Sequence, residues 1–419
     1  MLSSFAPYTT IHLASGLYLT NGYAAGVTGG WQPKRGQRIV GAGIDVTTLK
    51  LTPGATVGAL YFAIGADDAA QVNEFEAADM TIDCNLAGQS AAVAAGAIKV
   101  YGTHIRIRRI RAIHFGTQTT AQRGVAIVTA GAFPDYPEPF DCVVEDCILD
   151  LPFLNNVRET ACITFAGGER PGDGVMAHHK GCVVRNCFID CKYSNNEVPI
   201  STISFSNSAT GTVLTKVPHN LVANQWVVIT GAVINGVLPN DINGSFTATP
   251  VVSDTYRFTI TSANSQPANP TGDMYINRPP SQRVAISGLS VSGTVATLTT
   301  ITPHNRVPGQ NVVLNNVLVG GSPANAFNAA FPITQIVSPT ALQFTISPNP
   351  GTPINVANAW FGVDFYAFVA NGGRGVIVEG NRTLNTTFGL YRDSWSTKDV
   401  VIRDNYFVSE LALSSFALA

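Results

Sequence analysis

Six short segments of the chain share one frame: Asp79–Cys84, Ile105–Ile110, Cys142–Cys147, Cys182–Cys187, Val376–Asn381 and Val400–Asn405. The last five place Ile, Val or Cys first, Ile or Val third, a charged residue fourth, and Ile, Cys or Asn sixth. A strand-and-turn unit that recurs in one frame predicts rungs stacked in a solenoid. The first segment departs from the frame, opening on Asp79 and holding Ile82 where the others hold a charge. A one-residue shift in its rung would turn Met80 and Ile82 inward.

With Cys84, Ile110, Cys147, Cys187, Asn381 and Asn405 taken as equivalent, a rung of about 24 residues with loops of variable length explains every gap but one of 194 residues. That gap contains a duplication. Gly211–Asn220 returns as Gly293–Asn305, and Trp226–Gly231 as Asn311–Asn316. His219 and Phe246 return as His304 and Phe331, each 85 residues on, and Phe258 returns as Phe344. Alternating strands separated by Gly, Pro and Asn predict a small all-β module in each copy. The expected organisation is a solenoid over 1–198, two β modules over 199–280 and 281–359, and the last rungs over 360–419.

Strand residues alternate in direction, so the third position of the frame points inward. The fourth points outward and reads Arg108, Glu145, Arg185, Glu379 and Arg403, alternating in sign along the stack. Opposite charges on strands about 4.8 Å apart attract, which favours this register. Asn381 and Asn405 end their strands, where a side-chain amide can bond a stacked neighbour. The outward second position is apolar on most rungs and needs a cover from a loop, a module or another subunit.

Charged residues are 12% of the 419, the net charge is −2, and the chain is rich in Gly (39) and Pro (24). No global field attracts nucleic acid, and no run of about 18 apolar residues predicts a membrane span. The segment Met1–Tyr8 does not read as a secretory signal. Of seven cysteines, Cys142 and Cys147 recur as Cys182 and Cys187. An extended strand holds the two thiols of one segment about 16 Å apart, too far to share a zinc ion, so stacked buried thiols are the simpler reading.

The rungs Cys182–Asp190 and Val400–Asn405, with the opening stretches Ile11–Tyr18 and Gly36–Leu51, resemble right-handed parallel β-helix proteins of the pectate-lyase-like superfamily. The resemblance implies an all-β fold, a right-handed parallel β-helix, here interrupted by two tandem small β-barrel or sandwich modules. It leaves function open, because the fold serves lyases, hydrolases, phage tailspikes and surface adhesins. The inserted copies resemble small β-barrel units of phage tail proteins, through His219–Leu221, Val228–Gly231 and Ile242–Phe246.

Lyases of this fold pair a proton-abstracting base with Ca²⁺, and hydrolases pair carboxylates. The densest polar cluster is Gly168–Lys180. In it Glu169 and Asp173 fit acid, base or cation-holding roles, and His178 or Lys180 fits a proton acceptor. A solvated loop between rungs is the simpler reading. Asp67–Asp68 stands apart from any such set. Arg106 and Arg108, with Arg111, His104 and His114, form a basic patch suited to an acidic sugar, or to partnership with Glu145 and its neighbours. Tyr391, Arg392 and Trp395 read as a loop whose aromatics suit a sugar face or simple packing. His219 and His304 read as structural.

The expected function is a surface-exposed structural or adhesion β-helix, tailspike-like or part of a cell-surface fibre, contacting a polysaccharide or cell-surface glycan. It would be a homo-oligomer, with a trimer as the form to test, located extracellularly, on a cell surface or on a virion. No cofactor and no nucleic acid are expected. The alternative is an extracellular polysaccharide lyase or glycoside hydrolase, the lyase bringing Ca²⁺ with it.

Overall fold

The computed structural model describes the chain except residues 1–3, 25–31, 55–59, 67–71, 90–91, 120–121, 131–140, 151–155, 167, 170–175, 178, 192–197, 206–207, 220–224, 236–238, 240, 252–253, 255, 267, 273, 277–282, 325, 348, 350–353, 363–364, 372, 393–398, 409–415 and 418–419. The chain divides into two compact units, one of residues 1–192 with 363–419, the other of 193–362. Among the described residues no helix is long and apolar enough to cross a membrane.

The first unit is a parallel β-helix. Its larger sheet holds two parallel stacks that meet at the long strand Arg106–Ile113. One stack runs through Val143–Glu145, Val183–Arg185, Ile377–Glu379 and Val401–Arg403. The other runs through Ile148–Asp150, Phe188–Asp190, Arg382–Leu384 and Tyr406–Phe407. A smaller sheet passes through Leu60–Gly65, Ala94–Tyr101, Gly124–Ala130, Thr160–Ala166, Phe365–Asn371 and Phe388–Arg392, all parallel. Ile107, Val144, Val184 and Val378 are buried in register, as the alternation requires, and the row ends on the partly buried Ile402.

Each rung turns its corner on one residue with left-handed backbone. Asp79, Arg109, Asp146, Asn186, Gly380 and Asp404 have φ of 61°, 50°, 53°, 54°, 63° and 55°. Glycine suits Gly380 twice over, since a Cβ there would lie 2.7 Å from Asn186 Oδ1. This corner corrects the alignment of the first segment. Met80, not Cys84, lies opposite Ile110, and Ala77 lies opposite Ile107. Asp79 must take the corner, because Asp tolerates positive φ and its neighbours Met80 and Ile82 are then free to fill the core, where both are fully buried.

After the corner comes a ladder of side-chain bonds. Asn381 Oδ1 accepts from the Cys187 N–H at 2.9 Å, and its Nδ2 donates to Val184 O and Asn405 Oδ1. Asn405 in turn accepts from Asn381 N and donates to Val378 O. In the rungs before, thiols stand in the same column: Cys147 Sγ donates to Glu145 O at 3.3 Å and Cys187 Sγ to Arg185 O at 3.4 Å. All seven cysteines are free thiols and buried. Burial, then the neighbouring Cys147, pushes the Cys187 thiol up.

The second unit holds two closed six-stranded barrels among the described residues, with the same strand order. Their cores are separate, one around Ile203, Val227 and Phe258, the other around Leu298, Leu314 and Phe344. The duplication is visible in polar detail. Asn243 grips the N–H and C=O of Ala232, and Asn328 grips those of Val317. Thr215 Oγ1 donates to Val217 O, and Thr300 Oγ1 to Thr302 O. His219 and His304 each place Nε2 3.2 Å from a backbone carbonyl, of Arg257 and Ser338 respectively.

Replacing Asn381 strands a buried N–H, whereas Arg403, paired with Glu379 at 2.5 Å, is well exposed. Asn381→Ala is therefore expected to lower the stability of the β-helix by about 1–3 kcal/mol, and Arg403→Ala by less than about 1 kcal/mol. Chemical denaturation followed by circular dichroism measures both, and equal losses would remove the ladder's special role.

Candidate functional site

The smaller sheet carries two rows of register partners. In one, Val125, Ala161, Tyr366 and Phe388 are register partners on successive rungs. In the other, Lys99, Val128, Thr164, Val369 and Tyr391 follow one another. On the same strands Ile98, Ile127, Ile163, Phe368 and Leu390 are buried in the core. Ala161 is the small residue between Val125 and Tyr366, and the ladder opens there. The resulting groove of about 210 Å³ is lined by Arg123, Val125, Glu159, Ala161, Thr164, Tyr366 and Val369.

The groove combines an aromatic wall with polar groups. Arg123 Nε sits 2.6 Å from Glu159 Oε1, and Arg158 approaches the same carboxylate at 3.3 Å. Thr164 Oγ1 is buried without a hydrogen-bond partner among the described residues. An apolar ring face, an ion pair that can exchange partners, and an unsatisfied hydroxyl suit a hydroxylated ligand with a hydrophobic face. Glu159 supplies the one carboxylate among the lining residues, and glycoside hydrolysis by this chemistry takes two.

The residues proposed from sequence lie as follows. Glu169 is in the strand Gly168–Glu169, which pairs with Met176–Ala177, and Lys180 is in His179–Lys180, which pairs with Gly373–Arg374. Asp173 and His178 lie outside the described residues, as do Trp395 and Asp67–Asp68. Tyr391 and Arg392 end a strand rather than forming a loop, and Tyr391 holds the register position next to Val369 of the groove.

Arg106 and Arg108 are engaged by carboxylates. Arg106 bonds Asp141 at 2.6 Å and Arg108 bonds Glu76 at 2.8 Å, so Arg108 pairs with Glu76 where Glu145 was the expected partner. Glu145 pairs instead with Arg185 at 2.5 Å. Arg109 bonds Asp79, and Arg111 bonds both Asp45 and Asp150 at 2.8 Å. Each of these arginines meets a carboxylate on another rung. Among the described residues no group of three or more His, Cys, Asp or Glu side chains is placed to hold a metal ion.

The groove residues were not singled out by sequence because their strands lack the rung frame. Thr160 lies opposite Phe365 in the sheet although about two hundred residues separate them in the chain. The detectable signal was a pair of apolar runs, Thr160–Ala166 and Phe365–Asn371, of matching length on either side of the duplication.

No family model matches the chain, and no curated protein matches it. Among solved structures it is similar to the A-module of the Azotobacter vinelandii mannuronan C-5 epimerase AlgE4, at 15% identity and a TM-score of 0.27, over 44% of this chain and 45% of that one. It is also similar to the A-module of AlgE6 from the same organism, at 15% identity and a TM-score of 0.25, over 44% of each chain. The chain thus spans less than half the length of the structures it matches.

Near the basic patch, Asp83 gives a pH signature. Burial raises its carboxyl, but His114 at 2.8 Å and Lys50 at 3.0 Å outweigh burial and hold it at about 2. A depressed carboxylate adds stability that is present above the ordinary value of 3.8 and is lost as pH falls through about 2. Between pH 4 and pH 2 the β-helix is expected to lose on the order of 2 kcal/mol through this residue. Asp83→Asn should flatten that part of the stability–pH curve, and an unchanged slope would refute the assignment.

Proposed function

We propose that the chain is a surface-exposed structural or adhesion protein, of tailspike-like or cell-surface fibre type, that contacts a glycan along the outer face of its smaller sheet. In this reading the β-helix is right-handed and of the pectate-lyase-like superfamily. The paired barrels are an insertion in it of the kind that phage tail proteins carry. The setting is extracellular, on a cell surface or a virion, and the assembly is a homo-oligomer, a trimer being the form to look for by light scattering.

The observation that carries the reading is the groove beside Tyr366, with Arg123, Glu159 and Thr164 around it. Carbohydrate recognition uses an aromatic face for the sugar's C–H surface and charged or hydroxyl groups for its rim. The groove lies across rungs that parallel pairing spaces about 4.8 Å apart, so a linear polymer can be read by successive rows.

A second reading, a polysaccharide lyase or glycoside hydrolase, draws support from one feature. The strand Thr160–Ala166 that lines the groove leads directly to Gly168–Glu169, the start of the segment with Glu169, Asp173, His178 and Lys180. A lyase would add Ca²⁺ held by carboxylates of that segment.

Affinity electrophoresis of the full chain in acidic and neutral polysaccharides tests both. The first reading expects retardation by at least one polysaccharide with no new reducing or unsaturated ends, and loss of at least tenfold in affinity in Tyr366→Ala. New chain ends that vanish in Asp173→Ala would establish the second reading in its place. Retardation by none of the polymers would overturn the glycan assignment.

A further inference from the structure

The groove beside Tyr366 has two ends of different chemistry, and the kind of sugar it takes follows from them, given that the glycan reading of the groove holds. Arg123 and Glu159 stand immediately before the register partners Gly124 and Thr160, and they form one end. Ala161 and Tyr366 are register partners, as are Thr164 and Val369, and these four line the other end. Extended strand separates Glu159 from Thr164 by about 16 Å.

The first end answers its own charge. Arg123 holds Glu159 at 2.6 Å, and Arg158 reaches the same carboxylate at 3.3 Å. Groups of this kind suit the ring hydroxyls of a sugar, which both donate and accept.

The second end differs. Ala161 leaves space between Val125 and Tyr366, and Val369 closes its side, so the walls are apolar. Thr164 Oγ1 is buried there and has no hydrogen-bond partner among the described residues. The register partners of Thr164 on the two neighbouring strands are Val128 and Val369, and neither side chain can bond a hydroxyl. A buried hydroxyl is costly unless something bonds it. A sugar hydroxyl entering here would meet Thr164 but bury its remaining hydrogen-bonding capacity against valine and alanine. A bare methyl would fill the space and leave Thr164 unanswered. One small group does both: an acetyl, whose methyl and carbonyl oxygen sit on the same carbon.

We propose that this end of the groove receives the acetyl group of an N-acetylated sugar. The methyl packs against Ala161 and Val369, the carbonyl oxygen accepts from Thr164 Oγ1–H, and the sugar ring lies on Tyr366. An amide carbonyl is a better acceptor than an ester carbonyl, so the occupant is an acetamido sugar and not an O-acetylated one. At about 210 Å³ the groove is smaller than the usual ligand pocket of about 300–1,000 Å³. It therefore takes one face of a single sugar residue and leaves a polymer open on either side.

Saturation-transfer NMR on the full chain tests this, with N-acetylglucosamine, N-acetylgalactosamine and N-acetylmannosamine each set against its parent hexose. At least one acetamido sugar is expected to receive saturation, most strongly at the acetyl methyl, with its parent hexose at least fivefold weaker. Thr164→Val keeps the shape and removes the hydroxyl. It should weaken binding about fivefold, the worth of one hydrogen bond, and melt no lower than the parent. Ala161→Leu fills the space and should abolish the methyl signal. Equal transfer to acetamido sugar and hexose would overturn the proposal, as would a Thr164→Val chain that binds like the parent. So would absence of transfer to all three acetamido sugars. Should Ala161→Leu fail to fold, the sugar pairs and Thr164→Val still decide. A chain that polysaccharides retard, but that does not prefer acetamido sugars, keeps the glycan reading and loses the acetyl site. Retardation by none, with no transfer, removes both.

Discussion

The β-helix depends on one left-handed residue at the same place in rung after rung. Asp79, Arg109, Asp146, Asn186, Gly380 and Asp404 bend their strands at this point, and the strands on either side then pair with their neighbours in parallel. For an L-residue this conformation costs about 1–2 kcal/mol, less for Asn and Asp. The cost recurs at each rung, so something must recur to offset it. In the last four of these rungs the next residue supplies that, as Cys147, Cys187, Asn381 or Asn405, whose thiols and amides bond backbone carbonyls near the bend. After Asp79 and Arg109 the next residues, Met80 and Ile110, are buried in the core. The column changes from Cys to Asn between Cys187 and Asn381, both buried, and ends on the partly exposed Asn405.

The outward charges act on register more than on stability. Arg185 meets Glu145 and Arg403 meets Glu379 at 2.5 Å, each in an exposed or half-exposed pair. Such pairs contribute at most about 1 kcal/mol each. A slip by one rung would set Arg against Arg and Glu against Glu, and a slip by one residue would turn Val144 and Val184 to solvent. The same pairing accounts for Arg106 and Arg108. A run of arginines on one strand suggests an anion site in the sequence, yet in the fold the acids Asp141 and Glu76 occupy it first.

The frame of the rungs was legible because its corner residue, its buried third position and its ladder residue are each restricted in type. Val144 opposite Ile107 and Val184, and Val378 opposite Ile402, follow from the letters alone. The first rung misled because Asp83 and Cys84 copy the ending of later segments while Asp79 takes the corner. The strands of the smaller sheet were illegible for the opposite reason. Each is apolar on both faces, so alternation carries no signal, and the contact of Thr160–Ala166 with Phe365–Asn371 spans the duplication. A groove is made by what a residue lacks, as Ala161 lacks bulk between Val125 and Tyr366, and that absence has meaning only once the neighbours are known.

The duplicated barrels separate structural residues from candidates for function more sharply than either copy could alone. His219 and His304, Asn243 and Asn328, Thr215 and Thr300 make the same bonds in both copies, so the fold explains them. A position where the two copies differ, such as Leu221 against Arg306, is one that the shared barrel architecture does not dictate. The divergent positions of a repeat are therefore where any chemistry particular to one copy is to be sought.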